Sequence, residues 1–465
     1  MYARGYYPGR SGQIFLVTRE GDFIVDHDPL YAFMHGSPWG YDTHIPLLWH
    51  GAPFITSGAF SDAAVQQDIA PTLAALIGSH APPTATGHAL TQALSGGTER
   101  PRVVLLLVLD AMRADYLDTY ASVMPTLTRM RREGAWFPET RINYLPTVTS
   151  VGHATIGTGT DPRIHGQAAN NLFNRVTGKP QPAYDALDPR ELMALTLADV
   201  WNLETDGRAV IIGQGGAIRA TAGLVGRGAC MINGRKVMAA SYSTADAGWE
   251  TNPACYTMSP ALKAFSGKAV WEAAGGTWMG HDISSPTKFR ASSLFQRFEA
   301  EALLAVIAGE PLGADEVPDL VMVNMKGPDY VGHAYGPASA EIEEEMAELD
   351  RQIARILDAV EKKAGPRHSV VAVTADHGMP PEPAAGRRHF FDEVVASIHQ
   401  KFDPTDKKVV QYFTDPANGQ IYLDTARLQT LGFSLKDVAV FLESKDFVRA
   451  AFTEDEVRAA GPRVR

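Results

Sequence analysis

Val103-Val-Leu-Leu-Leu-Val-Leu-Asp110 runs through seven apolar residues without a break and ends on a carboxylate. A strand with one face in water alternates apolar and polar residues, so an unbroken run predicts a strand buried on both faces of a largely parallel sheet. Residues 209–213, 320–323 and Ser369–Thr374 have the same character, and the last leads into Ala375-Asp376-His377-Gly378. Helical patterns lie between them. The longest, 339–363, carries Glu341, Glu343, Glu344 and Glu345 near its start and Lys362-Lys363 near its end, the polarity that a helix dipole favours. Strands alternating with helices predict a three-layer α/β/α sandwich. Open parallel sheets bind ligands beyond the carboxyl ends of their strands, which directs attention to Asp110, Asp376 and His377.

The composition, 45% hydrophobic and 20% charged with no repeat or low-complexity tract, is that of a soluble globular protein. At 465 residues the chain exceeds a typical domain, so one extended catalytic unit with a smaller elaboration is expected. Residues 172–300, rich in Gly, Ser and Thr and irregularly patterned, predict an insertion that caps the site. The polar stretch Ser95-Gly-Gly-Thr-Glu-Arg-Pro101 predicts a linker between residues 1–94 and 102–465.

A net charge of −11 argues against an extended nucleic-acid-binding surface, although a local metal site still attracts an anion. Met1-Tyr-Ala-Arg-Gly-Tyr-Tyr-Pro8 lacks the apolar stretch of a signal peptide, and 103–109 is too short to span a bilayer. No export or membrane segment is therefore expected, and oligomeric state has no signal in the sequence. Cys230 and Cys255 rule out a disulfide framework and leave two readings open, one bridge or two buried thiols.

Three clusters have the composition of nitrogen-and-oxygen metal sites: Asp110, Asp329-x-x-x-His333 and Asp376-His377. Carboxylate and imidazole together suit zinc, and the lack of paired thiolates argues against a purely structural cysteine site. Between the first two clusters lies Pro146-Thr-Val-Thr-Ser-Val-Gly-His153, followed by His165-Gly-Gln-Ala-Ala-Asn-Asn171. A hydroxyl at a helix start beside a divalent metal is ionised by it and aimed at phosphorus, a role that Thr149 fits. The plainer alternative is that Thr147, Thr149 and Ser150 cap a helix.

In order along the chain, Asp110, Thr149-Ser-Val-Gly-His153, Asn170-Asn171, Asp329-Tyr-Val-Gly-His333 and Asp376-His377-Gly378 resemble the alkaline phosphatase superfamily. The resemblance is strongest to the branch of type I phosphodiesterases, nucleotide pyrophosphatases and threonine-dependent bacterial alkaline phosphatases. It implies the α/β/α fold of that superfamily, two zinc ions and a small-molecule phosphate ester as substrate. One zinc would be held by Asp110, Asp376, His377 and the Thr149 oxygen, the other by Asp329, His333 and a third histidine. Thr149 would be the nucleophile, passing through a phosphothreonine, and Asn170 would donate to a non-bridging phosphoryl oxygen.

Monoester-selective relatives also carry a Lys-x-Arg pair. Arg219 falls on the arginine and Ala217 on the lysine, so phosphodiesterase and phosphomonoesterase activities both stay open. Lys326, three residues before Asp329, is either a second source of that charge or a solvated lysine beside the Gly327-Pro328 turn.

The family supplies its third histidine after the Asp-His-Gly motif, but His389 and His399 lack the expected context. The pattern occurs instead at the other end, as His35-Gly-Ser-Pro-Trp-Gly-Tyr-Asp-Thr-His-Ile-Pro-Leu-Leu48 followed by Asp68-Ile-Ala-Pro-Thr-Leu-Ala-Ala-Leu76. Residues 1–94 thus resemble the family's ending and the remainder its beginning and middle, which implies a circular permutation joined through 95–101. His44 and His50 are fallback ligands. A sulfatase would need a Cys or Ser in a C/S-x-P-x-R context, which Thr149 lacks. A phosphoglycerate-mutase-like enzyme would use serine, and a non-catalytic metal-binding scaffold would have lost Thr149 or Asn170.

Overall fold

The protein was analysed as a computed structural model described over residues 1–231, 235–383, 387–414 and 419–461. The strands that carry the site are β1 (Leu47–His50), β2 (Val103–Leu109), β3 (Ile211–Gly215), β4 (Met238–Tyr242), β5 (Asp319–Met325) and β6 (Ser369–Thr374). The helices are α1 (Thr149–Thr158), α2 (Ile218–Val225), α3 (Ser293–Gly309), α4 (Gly327–Tyr335) and α5 (Ala340–Ala364).

Among the described residues the main sheet has nine strands, with β4, β3, β5, β2 and β6 forming a parallel centre in that order. β1 continues it antiparallel to β6, pairing Leu48 with Val373. The unbroken apolar run is explained by two cores. Val103, Leu105, Leu107 and Leu109 enter one with Phe295 and Leu303 of α3 and Leu349 and Ile353 of α5. Val104, Leu106 and Val108 enter the other with Ala154 and Ile156 of α1 and with Leu73 and Ile77. Each such side chain, fully buried, contributes about 1.5–3 kcal/mol, so a polar residue on either face would be costly. α5 starts at Ser339, whose Oγ accepts from the Ile342 amide at 3.1 Å, with Glu341 and Glu343 in the first turn and Lys362-Lys363 in the last.

Residues 172–300 do not stand apart from this sheet. They contribute β3 and β4, and Ile211, Ile212 and Ala239 are buried in its cores. Their Gly and Ser content reflects close packing rather than irregularity: a Cβ on Gly213 would approach the Val225 side chain to 2.4 Å. Only parts of the stretch, around 182–186, 216–219, 242–250 and Arg290, wall the site. Cys230 and Cys255 within it form a disulfide. Residues 95–100 are exposed.

A second sheet was not foreseen. Its strands run in the order Val410–Phe413, Gln420–Leu423, Ile14–Thr18 and Val448–Thr453, all antiparallel. Its separate core includes Ile14, Leu16, Ile398, Phe402 and Leu442. Ile14–Thr18 lies between strands from the far end of the chain, and Tyr2 packs its ring on Phe15 and Phe452 at 5.8 and 5.5 Å. Among the described residues no helix is long and apolar enough to cross a membrane.

Candidate active site

Asp110 follows β2 and Asp376-His377 follow β6, so neighbouring parallel strands bring three residues far apart in sequence to one edge. Asp329 and His333 lie one turn apart on α4, on the same face. His35 arrives on a loop shaped by Asp42, whose Oδ2 accepts from the Gly36 and Ser37 amides (3.0 and 2.8 Å) and the Ser37 hydroxyl (2.6 Å). All six are buried.

The three histidines share one arrangement. Nδ1–H of His35 donates to the Thr147 carbonyl at 2.8 Å, that of His377 to the Gly378 carbonyl at 2.9 Å, and that of His333 to the Phe33 carbonyl. A carbonyl can only accept, so each ring keeps its Nε2 lone pair free. The freed atoms face carboxylates: His35 and His333 meet Asp329 Oδ1 at 3.4 and 3.3 Å, and His377 meets Asp376 Oδ2 at 3.2 Å and Asp110 Oδ1 at 3.5 Å. One ligand atom each from His35, Asp329 and His333 lie within 4.8 Å of one another, as do atoms of Asp110, Asp329 and His377, so the two sets adjoin.

This cluster gathers three buried aspartates around a single ammonium, that of Lys326. Asp110 Oδ1, both Asp329 oxygens and Asp376 Oδ2 are buried with no hydrogen-bond partner. Burial, and then the neighbouring Asp376 charge, hold the Asp110 carboxyl well above its usual range. His377 is pushed down to about 3, chiefly by burial, and so stays neutral. Orphaned carboxylate oxygens facing neutral imidazoles form a donor set that fits divalent zinc.

Thr149 opens α1 beside these groups. The helix N-cap is Val148, with no side-chain cap, and Thr149 Oγ lies 3.5 Å from His377 Nε2 and 3.0 Å from Lys326 Nζ. Thr147 Oγ bonds the Ser37 carbonyl and Ser150 Oγ the Ala169 carbonyl, so none of the three hydroxyls caps the helix. Gly152 lets α1 sit against the Asp376 loop: a Cβ there would stand 2.6 Å from the Asp376 carbonyl oxygen.

Asn170 Oδ1 accepts from the Ser150 amide at 3.0 Å, which turns its amide nitrogen toward a cavity of about 300 Å3. Arg219 and Arg290 line the same cavity, each with a buried Nε lacking a hydrogen-bond partner. Ala217 lies in that wall too. The fallback histidines lie elsewhere, His44 bonding the Pro138 carbonyl and His50 ending β1 opposite Val371, as do the two C-terminal histidines: His389 meets Asp22 and His399 accepts from the Val410 amide.

Several contributors were missed or left aside by sequence reasoning. His153 follows Thr149 by one helical turn, faces Asp376 Oδ2 at 3.2 Å and accepts from Asn324 Nδ2 at 3.0 Å. Asn324 also donates to Asp110 Oδ2 at 2.8 Å. Gln66 donates to the carbonyls of Ala375 and Asp376 at 2.8 and 2.9 Å. Lys326 is fully buried at the centre rather than solvated. Helical spacing pointed to His153; for Gln66 and Asn324 nothing local did.

The family described as Type I phosphodiesterase / nucleotide pyrophosphatase matches residues 104–440. The chain is 27% identical to alkaline phosphatase PafA of Elizabethkingia meningoseptica over 429 aligned residues, covering 77% of this chain and 76% of that protein. It is 27% identical to alkaline phosphatase PhoV of Synechococcus elongatus, covering 60% and 59%, and 25% identical to the venom phosphodiesterase of Macrovipera lebetinus, covering 62% and 26%. The chain thus spans three quarters of the first relative and less than two thirds of the other two. The crystal structure of wild-type PafA shares the fold, with a TM-score of 0.64 at 24% identity over 76% of this chain and 78% of that one.

Proposed function

Because this chain belongs to the type I phosphodiesterase / nucleotide pyrophosphatase family of the alkaline phosphatase superfamily, we propose that it hydrolyses small-molecule phosphate esters through Thr149 with two zinc ions. Asp110, Asp376, His377 and Thr149 Oγ would hold one ion, and Asp329, His333 and His35 the other. Bound there, the ions would act as Lewis acids, lowering the Thr149 hydroxyl pKa and stabilising charge on the phosphoryl and leaving oxygens.

The observation that carries this reading is the placement of Thr149 Oγ. It is buried, uncommitted to capping, and faces the His377 Nε2 that its own ring keeps free. Thr149 Oγ gives up its proton and forms a bond to phosphorus as the bond from phosphorus to the leaving oxygen breaks and that oxygen takes up a proton. Water then attacks phosphorus, breaks the Thr149 Oγ–P bond, releases the phosphate product and returns a proton to the hydroxyl. The Asn170 amide, turned away from the Ser150 amide by its own acceptor bond, is oriented to donate to a non-bridging oxygen, and Arg219 faces the same space. His153 and Asn324 hold the carboxylates in place.

The segment order supports a circular permutation. His35 lies outside the matched stretch 104–440 yet stands with Asp329 and His333, and Tyr2 packs beside Phe452. A chain relinked from Gly461 to Met1 through a short Gly/Ser linker and opened at 95–101 should fold and bind the same number of zinc ions.

The decisive experiment measures turnover of an aryl phosphate monoester and of its diester by zinc-loaded protein, with and without chelator. Zinc-dependent cleavage that disappears in Thr149→Ala is expected. Absence of cleavage of both esters, or full activity in Thr149→Ala, would overturn the reading.

A further inference from the structure

Lys326 is the residue of the site whose position is hardest to explain as scaffolding. Its ammonium is fully buried, 2.8 Å from Asp110 Oδ1, 2.7 Å from Asp329 Oδ2 and 3.0 Å from Thr149 Oγ. It therefore touches one carboxylate from each ligand set and the nucleophile between them. Its backbone is fixed as well, since the Lys326 amide donates to the buried Glu299 carboxylate at 3.1 Å.

The neighbouring loop is built around this side chain. Gly216-Ala217 follows β3, at the place where Lys-x-Arg relatives would carry their lysine. A Cβ on Gly216 would stand 2.5 Å from Lys326 Cβ and 2.4 Å from Glu299 Oε1, so the loop leaves the Lys326 stem room that any larger residue at 216 would take. Tyr330 closes the arrangement, with its hydroxyl donating to the Gly216 carbonyl at 3.3 Å and its ring 5.3 Å from Lys326 Nζ. Bulk is missing from one loop where a cation enters from another.

Metal ions in the two ligand sets would take the Asp110 and Asp329 oxygens that the ammonium meets. Lys326 meets these two oxygens as ion pairs at 2.8 and 2.7 Å without hydrogen-bond geometry, so a divalent ion would compete with the ammonium for them. A buried ammonium needs a counter-charge. Its remaining partner is Thr149 Oγ, the atom that bears phosphorus during turnover, and the anion delivered there is the phosphoryl group.

We propose that Lys326 is a catalytic residue that contacts the transferred phosphoryl group, supplies from the start of α4 the charge absent at Ala217, and favours dianionic monoesters over monoanionic diesters. This rests on the phosphate-ester reading. An ammonium gains more from two negative charges on the phosphoryl oxygens than from one, so its loss should separate the two ester types.

Lys326→Met keeps the volume and removes the charge. With zinc content measured on the same sample, we expect kcat/KM for an aryl monoester to fall by about 10²–10³ and for the diester by less than about tenfold. Inhibition by inorganic phosphate should weaken in parallel, and two equivalents of zinc should remain. Adding Ala217→Lys should restore at least about tenfold of the monoester rate. Should Lys326→Met not fold, Lys326→Gln gives the same comparison with a polar, uncharged chain. Equal losses on both esters, unchanged phosphate inhibition, or loss of zinc from the variant would each mark Lys326 as structural and overturn the proposal. A wild-type protein that cleaves neither ester would instead reject the phosphate-ester reading beneath it.

Discussion

Asp110, Asp376 and His377 hang from the ends of two adjacent strands, whereas Asp329, His333 and His35 come from one short helix and a loop at the other end of the chain. The first half of the centre inherits its geometry from strand pairing, in which Leu105 faces Val321 on one side and Val371 on the other. The second half depends on docking of residues 1–94 against the rest. Gln66 shows that this docking reaches the first half too, because it holds the carbonyls of Ala375 and Asp376. The strand-end half is thus set largely by local sequence, and the helix-and-loop half by assembly.

The largest expected effect lies between the halves. Thr149→Ala removes the oxygen that both sets face, and turnover should fall by at least about 10⁴-fold, the scale on which nucleophiles are lost. Both zinc equivalents should remain, since three protein ligands persist on each side. If zinc were lost together with activity, Thr149 would belong to the scaffold of one half rather than to the chemistry between them.

The comparison itself is tested by two histidines. His35→Ala and His333→Ala remove the two histidines proposed as equivalent ligands of the assembled half, and each should cost one zinc equivalent and about 10²–10³-fold in activity. Chelation should likewise lower the thermal unfolding midpoint of the wild type, because ions bind only the folded centre. A neutral His35→Ala would show that residues 1–94 cover the site without completing it.

This asymmetry also explains what the sequence disclosed. The run 103–109 and the Asp376-His377 pair were legible because strand burial and strand-end carboxylates are local signals, and the Asp329/His333 spacing is a helical one. His35 became visible only through family resemblance, since no local pattern ties it to Asp329. Within residues 172–300 the strand at 209–213 is legible from its apolar run, but β4 is not, because Met238-Ala-Ala-Ser-Tyr242 is short and made mostly of small residues whose burial composition does not reveal. The second sheet escaped notice because Ile14–Thr18 pairs with strands from the far end of the chain. Lys326 has two readings in the sequence because a lysine beside a Gly-Pro turn is usually solvated, and only the contacts with Asp110, Asp329 and Thr149 make it otherwise.

A smaller effect is expected where the assembled half is shaped rather than liganded. Asp42 Oδ2 gathers three donors around the His35 turn, and burial raises the Asp42 carboxyl to about 6. Asp42→Asn keeps the size but reduces the acceptor strength, so zinc affinity at the His35 side should fall by about 10–100-fold while the Asp376 side is spared. Isothermal titration with zinc resolves the two sites, and an equal loss at both would mean that the halves are not independently held.

The smallest effect concerns the helices beneath the second half. Glu348 of α5 is buried, which alone would raise its pKa, but hydrogen bonds from Arg297 of α3, Arg351 and Gln352 outweigh burial and pull it down to about 2. A carboxyl depressed on folding stabilises the native state fully above its ordinary pKa, and that contribution is lost as pH falls from about 4.5 toward 2. Arg297 and Arg351 are about half exposed, so screening by water limits the gain to about 1–2 kcal/mol. Glu348→Gln should therefore lower stability by that amount at pH 7, and the gap from wild type should close on acidification through this window. α3 also carries Glu299, which fixes the Lys326 backbone, so loosening the helix pair should disturb the Asp329 side before the strand ends. Hydrogen exchange at pH 3 that opened β2 and β6 before α3 and α5 would reverse that order and place the weaker support under the strand-end half.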